Sequence, residues 1–403
     1  MASATTQNFD PGERESYDDV SAQDIAKNRR DGRRWLEGVL GETMSRGNSI
    51  ELLEDARIFD GILHAIHEAQ DSIEMVVYVW WKGRVGERLA DALIDAAGRG
   101  VHVRLLVDAV GALPMPFKVR RRLRTSKVHF MHFRVPWITK VGALRRTHRK
   151  IVVCDGELAF TGGFGIDWRW SREAKAPWRD LHYSVRGPAV RGLRSSFFQE
   201  WLEAGGDLAT DLGQDHDEVG DECALVVSSV SSPGHSRIAT AFRACLMTAF
   251  DSVRIQTPYF VVDKEFTRLL VETAGRGVKI EVIVPGDRID HWVSRYAGER
   301  RYESLLEAGV SIKRYEPNMI HSKLMLVDDY LSVIGSANFN QRSLRHDDEI
   351  IMIVDSEKLN SRLQEVFEED LKSCSPVGLD EWRDRGARQR GMERLASFVR
   401  HHV

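Results

Sequence analysis

Short apolar runs rich in β-branched residues alternate with amphipathic stretches along this chain, and the alternation repeats. DSIEMVVYVWW (71–81) leads into a helical run ending AAGRG (96–100) and then VHVRLLVDAVG (101–111). DSVRIQTPYF (251–260) leads into a helical run ending TAGRG (273–277) and then VKIEVIVPG (278–286). THRKIVVCDG (147–156) and IHSKLMLVDD (320–329) follow in the same order. Asp71 and Asp251 are 180 residues apart, and His148 and His321 are 173 apart. Blocks in one order at a nearly constant offset mark a duplicated domain, with a period far too long for a solenoid unit.

Each copy reads β-α-β. The runs Ile73–Trp81 and Val101–Val107 are short and bounded by polar or glycine residues, as strands are. Between them Gly86–Ala97 carries Leu89, Leu93 and Ile94 on one face, which predicts an amphipathic helix closed by Gly98. Continuous apolar strands joined by helices predict an α/β fold, with a mixed or parallel sheet in each copy flanked by helices. The expected organisation is a polar N-terminal extension (1–45), a first domain (46–210), a Gly- and acid-rich linker (211–222), a second domain (223–372) and a basic tail (373–403) containing Trp382, Leu395 and Phe398.

Composition narrows the class. With 42% apolar and 29% charged residues over 403 positions, disorder, collagen and coiled coil are excluded as the dominant state. The longest apolar run, Met75–Trp81, has seven residues, whereas a membrane-spanning helix needs about 20, so none is expected. The polar, acidic N-terminus has no signal-peptide pattern. Four cysteines without a CxxC pair suggest a reduced, cytoplasmic chain with no structural zinc. Net charge is -3, which by itself points to no polyanionic partner. Local charge differs. From Leu113 to Lys150 there are twelve Lys or Arg and no Asp or Glu, interleaved with Met115, Phe117, Phe130, Phe133 and Trp137. Such a block suits an anionic lipid surface. Nucleic-acid phosphates are the rival partner, and a plain solvated basic face the simpler reading.

The chemistry sits in two copies of H-x-K-x4-D: His148, Lys150, Asp155 and His321, Lys323, Asp328. On an extended segment His and Lys two apart project from one face. Each pair sets an imidazole beside a fixed positive charge. Gly162-Gly163 and Gly335-Ser336 follow, small enough for backbone to approach an anion. A lone His on a strand is usually a core residue; two copies with the same follow-up are not. The pattern fits phosphodiester transfer. One neutral imidazole attacks phosphorus, giving a phosphohistidine, and the other protonates the leaving alkoxide. The lysines balance charge on the non-bridging oxygens, so neither a metal nor another cofactor is called for, and no HExxH or Cys/His ligand cluster is present. Each imidazole needs an orienting carboxylate; the candidates are Asp180 in WRDLH (178–182) and the run Asp347-Asp348-Glu349. Near-symmetry of the copies leaves the nucleophile undecided.

On GNSIELLEDARIFDGILHAI (47–66), the two H-x-K-x4-D motifs, WRDLH, QTPYFVVD (256–263), LLEAGVSIKRYEP (305–317) and GSANFNQRS (335–343), the chain resembles the phospholipase D superfamily and, within it, the bacterial cardiolipin synthases, in the subset without N-terminal membrane spans. The resemblance implies a bilobal fold with the active site on a pseudo-two-fold axis. It implies His148 as nucleophile and His321 as general acid/base, with crossed support: Asp180 for His321 and Glu349 for His148. It also implies an Asn 17 residues after each motif His. Asn338 meets this in the second copy, but Gly165 stands there in the first, so half of the phosphate cradle differs. Asn340 and Asp347 also depart from the usual residues. The expected activity is formation of cardiolipin by moving a phosphatidyl group between phosphatidylglycerol and a second phospholipid (phosphatidylglycerol or phosphatidylethanolamine), with donor and acceptor left open, on the cytoplasmic face of the inner membrane, with segment 113–150 against the lipid. A metal-independent phospholipase D hydrolase or nuclease is the alternative, and a catalytically dead lipid-binding scaffold, supported by Gly165 alone, the third reading.

Overall fold

The same seven-strand arrangement is built twice in this computed structural model, which describes residues 22–134, 145–207, 216–229, 236–386, 389 and 391–393. The first lobe contains β1 (Ser45–Glu54), β2 (Ser72–Val77), β3 (His102–Asp108), β4 (His129–Phe133), β5 (Ile151–Cys154), β6 (Leu158–Gly162) and β7 (Leu181–Arg186). The second contains β8 (Glu222–Ser228), β9 (Ser252–Gln256), β10 (Lys279–Pro285), β11 (Ser311–Tyr315), β12 (Leu324–Val327), β13 (Leu331–Gly335), β14 (Ile350–Asp355) and β15 (Cys374–Pro376). The spatial order is β15-β11-β10-β9-β12-β13-β14-β8-β1-β7-β6-β5-β2-β3-β4. Read outward from the centre, each lobe repeats the other. The β-α-β units give parallel pairs (β2 with β3, β9 with β10), and the hairpins carrying the motifs give antiparallel ones (β5 with β6, β12 with β13).

The expected two sheets are one. Antiparallel pairing of β1 with β8 fuses them into a continuous fifteen-stranded sheet. A shared core lies across the junction, where Ile50, Ile151 and Phe197 of the first lobe meet Ile334, Met352 and Phe367 of the second. The lobes are therefore held together by both backbone pairing and apolar burial.

Other boundaries move for local reasons. The first-lobe helix spans Arg84–Arg99 and holds Gly98 within it; Gly100, at φ 101°, is the left-handed residue that ends it. Strand β2 stops at Val77, because Val79 and Trp81 hydrogen-bond to Ile166 instead. Part of the expected N-terminal extension forms a helix, Ala22–Leu40, whose Leu36 is buried with Phe242 of the second lobe. Trp382 of the expected tail is likewise buried in that core. Residues 1–21, Trp137 in the basic block, 208–215 of the second-half approach and linker, and Leu395 and Phe398 lie outside the described residues. Among the described residues no helix is long and apolar enough to cross a membrane.

Candidate active site

Both motifs run just ahead of a strand rather than inside it: β5 begins at Ile151 and β12 at Leu324. The alternation survives. His148 and Lys150 face the site, while Arg149 between them turns away and donates to the carbonyls of Ser196 and Ser229. Each motif is pinned by backbone of the opposite lobe. His148 N donates to Asp348 O (2.8 Å), and Asp348 N to Arg146 O (2.8 Å). In the equivalent place His321 N donates to Arg179 O (2.7 Å), and Arg179 N to Met319 O (2.9 Å). These crossings carry an acid of one lobe to the imidazole of the other.

His148 Nδ1 meets Glu349 Oε1 at 2.9 Å and Oε2 at 3.0 Å. His321 Nδ1 meets Asp180 Oδ2 at 2.8 Å. In both pairs Nδ1 faces the carboxylate, which turns Nε2 toward the site; at His321 that atom has Lys323 Nζ 3.3 Å away. Lys150 Nζ donates to the carbonyl of its own His148 (2.6 Å), and Lys323 Nζ to that of His321, with 2.9 Å to His321 Nδ1. Glu349 is buried; it accepts from Ser336 Oγ at 2.5 Å and takes Ser229 Oγ on its backbone N–H at 3.2 Å. Its neighbours in sequence do other work: Asp347 pairs with Arg342 (2.7 Å) and Asp348 with Arg134 (2.9 Å).

The two carboxylates differ electrically. Burial pushes Glu349 up to about 7 despite Lys150. Burial acts the same way on Asp180, but His182, His321 and Lys323 outweigh it and hold Asp180 well below the usual carboxylate range. Burial, reinforced by Lys150, takes His148 well below its ordinary value. Burial and Lys323 bring His321 down to about 3 against the pull of Asp180. Burial also lowers Lys150 to about 7 and Lys323 to about 8. Lys323 acts on His148 and Lys150, and Glu349 acts on Lys323, so the groups of both lobes form one electrostatic unit.

Six of the eight expected catalytic residues therefore converge: His148, Lys150, Glu349, His321, Lys323 and Asp180. Asp155 and Asp328 do not. Four strand residues at about 3.3 Å each separate them from their lysines, at the far ends of β5 and β12. Each has left-handed backbone (φ 52° and 53°) and a structural role. Asp155 accepts from the N–H groups of Gln70, Asp71 and Ser72, and Asp328 from those of Phe250, Asp251 and Ser252. They tie each motif strand to the start of its neighbour.

The expected phosphate set is also redistributed. A Cβ on Gly163 would lie 2.4 Å from Asp180 Oδ1, so this glycine makes room for the carboxylate. Ser336 holds Glu349. Asn338 donates to Ser343 Oγ (3.4 Å), and its own buried Oδ1 has no hydrogen-bond partner among the described residues. At Gly165, where the Asn is missing, the space belongs to Trp170: a Cβ there would stand 3.0 Å from its ring.

Four aromatic residues were not anticipated. Trp170 donates its indole N–H to Asp180 Oδ2 (2.8 Å) and stands edge-on to His321, with ring centroids 4.9 Å apart. Trp178 lies against the same imidazole at 5.1 Å. Tyr78 meets His148 edge-on at 5.2 Å. His182, buried between Asp180 and Phe164, is lowered to about 4 by burial. The sequence signals for them are the Gly in place of an expected Asn five residues before Trp170, and the WRDLH segment that holds Trp178 and His182.

Comparison with known proteins bears on the family and the fold. A family described as "Cardiolipin synthase, PLD-like domain" matches residues 62–174 and 242–371. Cardiolipin synthase 1 of Bacillus cereus is 31% identical over 376 residues, covering 89% of this chain and 73% of that protein. Cardiolipin synthase of Clostridium perfringens is 30% identical, over 89% and 77%. Among solved structures, a phosphatidylserine synthase of Haemophilus influenzae superposes with a TM-score of 0.75 at 14% identity, over 92% of this chain and 99% of that one, which shows a shared fold.

Proposed function

The chain belongs to the cardiolipin synthase family of phospholipase D-like proteins, and from that premise we propose that it moves a phosphatidyl group between phospholipids through a phosphohistidine on His148. The observation that carries this reading is the pair of crossed imidazole–carboxylate contacts, His148 with Glu349 and His321 with Asp180, each beside a lysine.

In the first half-reaction His148 Nε2 attacks the phosphorus of phosphatidylglycerol. A P–N bond forms, the P–O bond to the glycerol headgroup breaks, and His321 gives that oxygen its proton. In the second, the hydroxyl of the acceptor lipid returns a proton to His321 as its oxygen bonds phosphorus and the P–N bond breaks. Glycerol and cardiolipin are the products. Lys150 and Lys323 offset the charge that builds on the non-bridging oxygens. The unequal acids support these roles. A Glu349 that titrates near 7 does little to favour imidazolium at His148, the nucleophile. A firmly ionised Asp180 pulls His321, the acid, toward imidazolium, against the burial and Lys323 that hold it at about 3 without substrate. A bound phosphodiester adds negative charge beside both and raises them together.

Access to lipid comes through the basic block. The helix Phe117–Thr125 carries Lys118, Arg120, Arg121, Arg122 and Arg124, and Phe117 at its start is 76% exposed, with Leu113 at 54%. Exposed apolar side chains among cations suit the headgroup boundary of an anionic membrane better than a nucleic-acid groove. The test is incubation of the purified protein with labelled phosphatidylglycerol, with and without phosphatidylethanolamine, followed by acid quench. The expected result is cardiolipin, free glycerol and label on His148. Phosphatidic acid as sole product, or DNA cleavage in EDTA, would overturn transfer in favour of hydrolysis or nuclease action.

A further inference from the structure

Arg169 lies in a short 3₁₀ turn, Trp168–Trp170, which the steps above do not use. Its guanidinium is clamped. The Cζ atom lies 4.5 Å from the Trp81 ring and 4.5 Å from the Trp178 ring, and Nε donates to Asp167 Oδ1 at 2.7 Å. Asp167 is buried and also accepts from the Arg169 backbone N–H (2.9 Å). Trp81 is itself fixed, its indole N–H donating to Gly111 O at 2.7 Å. Two aromatic faces and a carboxylate thus immobilise a side chain that otherwise loses considerable rotamer entropy on binding a ligand.

What this clamp leaves open is the outer edge of the fork. Neither terminal amino group of Arg169 has a hydrogen-bond partner among the described residues, and the side chain is 22% exposed. Arg179, by contrast, is taken up by Glu54, Asp55 and Asp370. Arg169 is also close to the chemistry. Trp178 contacts both groups, with Arg169 Cζ 4.5 Å from its ring and the His321 imidazole 5.1 Å away, so one indole links guanidinium and imidazole.

We propose that Arg169 is a second phosphodiester subsite, which holds the non-reacting phosphate of the acceptor lipid while that lipid's headgroup hydroxyl reaches the phosphorus on His148. The inference rests on the transferase reading above. An acceptor phosphatidylglycerol carries its own phosphate one glycerol away from the attacking hydroxyl, and a planar guanidinium with a free edge matches two oxygens of such a diester. Water and free glycerol offer nothing to this site. Arg169 thereby selects lipid acceptors over hydrolysis.

The experiment compares wild type, Arg169→Gln and Arg169→Lys with four acceptors: phosphatidylglycerol, the deacylated glycerophosphoglycerol, glycerol and water. Arg169→Gln is expected to lower kcat/KM about 10- to 100-fold for both phosphate-bearing acceptors. Transfer to glycerol and hydrolysis should stay within about twofold, so the product shifts from cardiolipin to phosphatidic acid. Lys should restore part of the loss. A uniform loss across all four acceptors, or an unchanged product ratio, overturns the subsite. If inorganic phosphate alters wild-type transfer to glycerol through Arg169, the residue is a free-phosphate site and the proposal falls. Should wild type transfer to none of the alcohols, the transferase reading itself fails, which is distinct from the failure of Arg169 alone.

Discussion

Trp170 and His321 share one oxygen: the indole N–H of Trp170 donates to Asp180 Oδ2 at 2.8 Å, and the imidazole Nδ1 of His321 meets the same atom at 2.8 Å. The tryptophan therefore fixes the carboxylate that fixes the acid. Trp170→Phe keeps an aromatic side chain and deletes the indole donor, and should slow transfer about 10- to 150-fold, in line with about 1.5–3 kcal/mol for a hydrogen bond to a charged acceptor. Asp180→Asn should cost about 10²–10⁴-fold, because the imidazole loses both orientation and its counter-ion. Steady-state rates on phosphatidylglycerol vesicles, with circular dichroism to check folding, measure both.

The two histidines can be separated by leaving-group chemistry. A phosphodiester with a p-nitrophenyl leaving group needs no proton from His321. His321→Ala should still form, and accumulate, the phosphoenzyme on that substrate, whereas His148→Ala should form none. Acid quench and intact-mass measurement read the difference; label on His148→Ala but not on His321→Ala reverses the assignment.

Asp155 and Asp328 should behave as structural residues. Each satisfies backbone donors at the start of an adjacent strand. Their replacement by Ala should cost about 1–3 kcal/mol of stability in urea unfolding, while kcat per folded molecule stays near wild type. A collapse of kcat without loss of stability would return them to the catalytic set.

The pH dependence has a definite sign. Lys150 titrates at about 7 and Lys323 at about 8, so rising pH removes the charges that balance the phosphoryl oxygens, and kcat/KM should fall through this range. Bound substrate is anionic and raises both, so the fall in kcat should lie at higher pH. On stability the histidines act the other way, while Glu349, raised to about 7, and Asp328, raised to about 6, oppose them as pH falls. His148, His182 and His321 are all lowered in the folded state, so their contribution is present above about pH 6.5 and is lost as pH drops toward their folded values. The slope is about 1.4 kcal/mol per pH unit for each histidine that remains neutral while its unfolded counterpart is charged. Thermal melts from pH 8 to 5 test this.

Charge reversal on the basic helix tests the lipid surface. Lys118→Glu with Arg121→Glu, both exposed, should weaken binding to anionic vesicles by about 1 kcal/mol per lost cation, and by more with the reversed charge. Turnover of a short-chain soluble substrate should not change. Cosedimentation with vesicles of varied phosphatidylglycerol content reads the effect.

The repeat and the His–Lys pairs were legible in the sequence because both are local: an offset, and a two-residue alternation on extended chain. The crossing of Asp180 and Glu349 was not, since 141 and 201 residues separate each acid from its imidazole and no local pattern encodes the pairing; it came from family resemblance. The placement of Asp155 and Asp328 away from the imidazoles is not legible either, because proximity within a motif conceals the length of the strand between His and Asp. Gly165 was recognised as a departure, but what fills its place depends on how the Trp168–Trp170 turn folds back, and a sequence does not display that. The fused sheet was missed for a similar reason: the short β1–β8 pairing depends on how two distant strands meet.

Because each lobe lends its carboxylate to the other's imidazole, neither half is a working unit. If residues 22–207 and 216–393 were expressed apart, each would hold a histidine stripped of its acid, and activity should return only on mixing, to the extent that β1 finds β8. The ancestral single domain must then have worked as a pair of identical chains.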